Sequence, residues 1–200
     1  MDERIREILT NYRDTVKPLL ADIRARRVDD KLPDNFLNEI RALNDHIARC
    51  FRDEKNTVDI HSELTKAEGH LRRLIYDCFK QLNIYISDNL ERKESRYYSD
   101  LWLTHDKGTF WTAYSKYRKY AQQNVIEAKK SESFDPDKAM AFYEKAFQNY
   151  REAEELLLKN KGLLRRSWTK KQTAKIQHFG WWFAITFILS FISSIIGLLC

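Results

Sequence analysis

Apolar residues return every three or four positions along most of this chain, the spacing of one face of an α-helix. Ile5, Ile8, Leu9, Tyr12, Val16, Leu19, Leu20 and Ile23 share such a face. Pro18 falls on the opposite side, and the unbroken stripe predicts a kinked helix rather than two separate ones. The turn VDDKLPD leads to a second stripe, Phe36, Leu37, Ile40, Leu43, Ile47, Cys50 and Phe51, and RDEKN separates it from a third. The third is the longest. Its residues Ile60, Leu64, Ala67, Leu71, Ile75, Cys78, Leu82 and Tyr85 step at close to eleven residues per three turns, which predicts an almost straight helix. After LTHDKG a fourth helix carries Phe110, Tyr114, Tyr117, Ala121, Val125 and Ala128 on one face. SESFDPD is a stop-and-start signal, with Asp135 suited to cap the next helix and Pro136 to its first position. That fifth helix places Ala139, Tyr143, Ala146, Tyr150, Ala153 and Leu157 at heptad steps. Gly162 is expected to loosen the junction that follows. No alternation of period two is long enough for a strand, so the expected fold is all-α.

The pattern changes at the C-terminal end. From Phe179 to Cys200 there are 22 residues and no charge. As a helix they would extend about 33 Å at ~1.5 Å per residue, close to the ~30 Å hydrocarbon core of a bilayer. Trp181 and Trp182 stand at the start of this run, where indole rings favour the headgroup layer. The expected layout is a cytosolic bundle of about five amphipathic helices over residues 1–158, a basic juxtamembrane helix over 159–178 and one transmembrane helix over 179–200. A spanning helix in this position predicts a tail-anchored, single-pass membrane protein with its N-terminal part in the cytoplasm. Within the run, Thr186, Ser190, Ser193, Ser194 and Gly197 lie within about 100° of one another. Small residues let helices approach closely in lipid, so this stripe is the candidate for helix–helix packing and a homo-oligomer.

Charge sharpens the division. Of 35 basic residues, seven lie between Lys159 and Cys200 with no Asp or Glu among them, which leaves 28 basic against 29 acidic residues elsewhere. The excess is therefore local. Arg165, Arg166, Lys170, Lys171 and Lys175, with Trp181 and Trp182, are the expected contacts to lipid, on the side the positive-inside rule makes cytoplasmic. A nucleic-acid binder would carry its positive field on the folded domain, so nucleic acid is not the expected partner. Cys50, Cys78 and Cys200 are odd in number, widely spaced and without a CxxC, which fits free thiols in a reducing compartment better than a disulfide or zinc framework.

Five histidines, His46, His61, His70, His105 and His178, show no i, i+4 pair and no HExxH, so no metal and no cofactor are expected. Arg41 and His46 stand at an R-x4-H spacing. This resembles the motif of the HEPN ribonucleases, which are small dimerising helical bundles. The resemblance covers one helix and implies that Arg41 stabilises charge and His46 transfers protons at a scissile phosphate. Ala42 follows the Arg where that family usually has a polar residue. The alternative is a solvent-facing Arg and a rim His. Ala139, Tyr143 and Ala146 match the A-x3-[FY]-x2-A spacing that resembles the second helix of a tetratricopeptide unit, without its W-x2-L-G-x2-Y first helix or a 34-residue repeat. Between Glu94 and Gln123 aromatic residues are dense. Tyr97, Tyr98, Trp102, Trp111 and Tyr120 are surplus to the helical stripe and mark a candidate partner-protein surface. The leading expectation is a non-enzymatic, tail-anchored protein whose bundle binds a partner protein or itself and holds the complex at the bilayer. A membrane-permeabilising effector of toxin or antiviral-defence type is the alternative, and a membrane-tethered HEPN-like ribonuclease the third.

Overall fold

A computed structural model describes residues 3–27, 29, 31–51 and 59–199; within 178–199 it describes the side chains of residues 181, 182, 185, 186 and 189 alone. Among the described residues every element is helical: α1 (Glu3–Asn11), a π-turn (Tyr12–Val16), α2 (Lys17–Arg26), α3 (Asp34–Arg49), α4 (Ile60–Tyr97), α5 (Asp100–Thr104), a 3-10 turn (His105–Gly108), α6 (Thr109–Ser131), α7 (Pro136–Lys159) and α8 (Lys161–Leu199). The linker RDEKN lies outside the described residues, as do Val28 and Asp30 of the first turn.

Pro18 acts on the turn before it. Proline has no N–H, so the carbonyl four residues earlier loses its helical partner. The chain widens into a π-turn, with the Lys17 N–H donating to the Tyr12 carbonyl five residues back. Helical dihedrals persist on both sides, at Asn11 and at Lys17. Val16, Leu19, Leu20 and Ile23 are therefore all buried with Ile5 and Ile8, while Leu9 is exposed.

Two compact units divide the chain: residues 1–88 with 117–151, and residues 89–116 with 152–200. The expected layout instead divides the chain after residue 158. Helices α4, α6 and α7 are long enough that each contributes one end to each unit, and the basic stretch at the start of α8 belongs to the second. The first unit buries Ile23, Phe36, Leu43, Leu64, Leu74 and Leu82 around α4. All six heptad residues of α7 are buried, as their spacing requires. Asp135 caps α7, its Oδ1 accepting the Lys138 N–H at 3.0 Å ahead of Pro136. Leu37 and Phe51 of α3, expected in the stripe, are exposed instead, at its edge and beyond its last turn.

In the second unit the ends of α4 and α7 meet α5, the start of α6 and α8. Leu90, Trp102, Phe110, Tyr114, Leu157 and Leu163 are buried there. The junction between α7 and α8 is one residue, Asn160, whose Nδ2 donates to the Leu156 carbonyl while its own carbonyl accepts from Leu163 and Leu164. Gly162 does not break the chain; α8 runs through it without interruption. The 39 residues of α8 reach about 58 Å at ~1.5 Å per residue. Among the described residues no helix is long and apolar enough to cross a membrane. Most side chains of the expected spanning run 179–200 lie outside that description.

Candidate functional site

The first unit gathers histidines and carboxylates that are far apart in sequence. His46 of α3 meets Glu63 of α4, Nδ1 to Oε2, at 2.7 Å. His70 of α4 meets Glu39 of α3 in the same way, also at 2.7 Å. Partner numbers rise on α3 as they fall on α4, so the two helices run antiparallel, and each carries Glu and His seven residues apart on one face. Side chains lean toward the N-terminus of their own helix. On antiparallel helices His46 and His70 therefore lean toward each other, and their rings stack with centroids 5.1 Å apart. Lys66 Nζ donates to the other Glu63 oxygen at 2.7 Å, and Arg49 stands 3.5 Å away. Arg73 Nε donates to Glu39 at 3.1 Å. The hydrogen bonds from His46 and then Lys66 hold the Glu63 carboxyl down at about 2. His46 is thus tied through Nδ1 to a carboxylate, which sets its ring's orientation, while His70 Nδ1 lies between Glu39 and the Arg73 guanidinium, whose Nη2 stands 2.8 Å away.

Arg41 does not join this cluster. Five helical residues rotate the chain by about 140° modulo a turn, and Arg41 is exposed with no bond to His46 among the described residues. The pair that resembles a ribonuclease motif is not brought together within one chain. The real companions of His46, which are Glu63 and His70, were missed. The signal was present as the E-x6-H spacing repeated on two helices, 39 to 46 and 63 to 70. Among the described residues no group of three or more His, Cys, Asp or Glu could hold a metal ion. Cys50 and Cys78 form no disulfide among the described residues, Cys50 Sγ donates to the His46 carbonyl at 3.3 Å, and burial pushes the Cys78 thiol up to about 12, so it stays protonated.

In the second unit the surplus aromatics separate. Trp102 is a correction: it is wholly buried and belongs to the core, not to a partner surface. Its ring packs edge-on against Tyr98, Phe110 and Tyr114 at 5.5–5.7 Å between centroids, with Trp111 at 6.4 Å. The cause is a reversal of the chain. Asp106, Lys107 and Gly108 all take positive φ, which turns α6 back and closes it over the five-residue α5. Tyr98 remains exposed, and Tyr97 and Trp111 are half-buried. Tyr120 is exposed in the first unit.

The basic residues of α8 separate as well. Lys170 Nζ reaches Asp100 of α5 at 2.7 Å, and Lys171 Nζ donates to the Ser95 carbonyl at 2.8 Å. Expected at lipid, these two tie α8 to its own unit. Arg166 and Lys175 are exposed. Arg165 lines a groove of about 480 Å³ together with Lys93, Arg96, Lys161, Tyr97, Leu158, Leu164 and Trp168. Trp181, Trp182, Ile185 and Leu189 are large apolar side chains 50% or more exposed along α8. Thr186 Oγ1 donates to the Trp182 carbonyl at 2.9 Å. The rest of the small-residue stripe, Ser190, Ser193, Ser194 and Gly197, lies outside the described side chains. Comparison of the chain with known families, curated proteins and solved structures finds no match.

Proposed function

We propose that this chain is a single-pass membrane protein whose helical part, on the cytoplasmic side, binds a partner protein or a further copy and holds the complex at the bilayer. The observation that carries this is the exposed apolar face of α8. Trp181, Trp182, Ile185 and Leu189 are each 50% or more exposed, at a cost of up to roughly 1.5–3 kcal/mol each relative to full burial. A bilayer removes that cost and suits the charge-free run to which they belong. Arg166 and Lys175, exposed on the same helix, are placed to meet anionic headgroups. The continuity of α8 supports a rigid link between the anchor and the second unit.

Alkaline carbonate extraction of cells expressing the full chain, with protease added to intact and to opened vesicles, tests this. The chain is expected in the carbonate-resistant pellet, with residues before Lys159 digested from the cytoplasmic side and 179–200 protected. Recovery in the aqueous fraction, with the apolar run cleaved, sinks the anchoring. Release of a trapped dye from vesicles on insertion would replace anchoring with permeabilisation.

A further inference from the structure

The ion pairs of this molecule make one groove conspicuous. Cations elsewhere are matched in part: Arg4 with Glu68, Lys80 with Glu132, Arg151 with Asp22, Lys170 with Asp100. Lys93, Arg96, Lys161 and Arg165 have no carboxylate partner among the described residues, and no carboxylate lines the groove they surround. Arg96 lies over the Tyr97 ring at 5.3 Å, a contact that keeps its guanidinium beside the groove without neutralising it. Between the cations the walls are apolar, and Leu158 and Trp168 are exposed there at 50% and 40%.

The lining residues have helical spacing on both sides. From α4 come 93, 96 and 97; from α8 come 161, 164, 165 and 168. Each set is one face of a helix. Two such faces with a trough between them are the seat for a third helix, which would lay apolar residues at i, i+3 or i+4 and i+7 along the floor. The α8 stripe spans eight residues, a rise of about 10 Å, enough for roughly two turns of a guest.

We propose that this groove of the second unit takes an acidic amphipathic helix of a partner protein, its apolar face on Leu158, Leu164 and Trp168 and its carboxylates on Lys93, Arg96, Lys161 and Arg165. The choice of a protein helix over a lipid headgroup rests on the membrane placement proposed above and on distance. Trp168 precedes Phe179 by eleven residues and Lys161 by eighteen, which is about 16 and 27 Å along α8 at ~1.5 Å per residue. The headgroup layer adds only about 5–8 Å beyond the hydrocarbon, and charge is screened over ~8 Å at physiological salt. An ordinary helix tilt of about 20° shortens those distances by less than a tenth. The groove thus stands clear of the bilayer surface.

The probe is a designed helical peptide with Leu at i, i+3 and i+7 and Glu on its flanks, compared with the same peptide carrying Lys in place of Glu. Binding is measured with the full chain in nanodiscs of phosphatidylcholine alone, by peptide anisotropy and by tryptophan emission. The acidic peptide is expected to bind with an affinity that falls as salt rises, and the basic one at least tenfold more weakly. Arg96→Gln with Arg165→Gln is expected to cost tenfold or more with an unchanged unfolding temperature. Trp168→Phe is expected to remove the emission change. Equal binding of the two peptides, or full binding by the double Gln variant, overturns the proposal. So does displacement of the peptide by vesicles rich in phosphatidylglycerol or by a single-stranded oligonucleotide. A carbonate-resistant chain that ignores the peptide sinks the groove alone. A water-soluble chain that still binds it sinks the anchoring alone.

Discussion

Glu63 accepts from His46 on one carboxylate oxygen and from Lys66 on the other, and its carboxyl is held at about 2 against a usual 4.5. A group more acidic folded than unfolded stabilises the fold fully above its unfolded value and loses that contribution as pH falls through the folded one. Glu63→Gln should therefore lower the urea midpoint at neutral pH, with the gap from the unmodified chain closing as pH falls from 4.5 to 2. A gap of constant size over that window would assign the loss to packing. Glu132 accepts from the Tyr143 hydroxyl and from Lys80, which likewise hold it at about 2. Tyr143→Phe removes a donor to a charged acceptor and should cost about 1.5–3 kcal/mol in denaturant unfolding. Trp102→Ala empties the centre of an aromatic cluster and should cost about 3–5 kcal/mol. Trp102→Phe should cost much less, because the buried Nε1 has no acceptor to lose. Near-equal losses from the two would point to a hidden partner for the indole.

The turn between α5 and α6 stores strain that its sequence relieves only at one position. Asp106 and Lys107 hold φ of 50° and 57°, where a β-carbon costs about 1–2 kcal/mol per residue. Gly108 holds 87°, and a β-carbon there would stand 3.3 Å from the Leu103 carbonyl oxygen. Lys107→Gly should therefore raise stability by about 1 kcal/mol, and Gly108→Ala should lower it by about 1–2 kcal/mol. Gly162 is the opposite case. It lies inside α8 with open space around its α-carbon, so Gly162→Ala should add about 0.5–1 kcal/mol. Thermal unfolding of the three variants reads all three signs. A Gly162→Ala variant that loses stability would mean the junction needs a flexible residue after all.

At the scale of the whole molecule, association tests where copies meet. If the small-residue run in the apolar part of α8 is the contact, Ser193→Leu with Gly197→Leu should reduce cross-linked dimer in nanodiscs at least fivefold; an undiminished dimer assigns the contact to the helical part. Local sequence was enough for the all-helical class and the six buried residues of α7, through periodicity, and for the cap at Asp135, through residue type, because a helix's inward face and its start are set within one or two turns of chain. It also gave the disturbance at Pro18, since a missing N–H acts on the same helix. It could not settle Trp102, which sits on a helix too short to show a stripe and is buried only because three left-handed residues fold α6 back over it. Nor could it pair His46 with Glu63, separate Leu37 from the core, or part Arg165 from Lys170. Those outcomes depend on which helix lies alongside, and side chains brought together from distant turns leave no mark on local spacing.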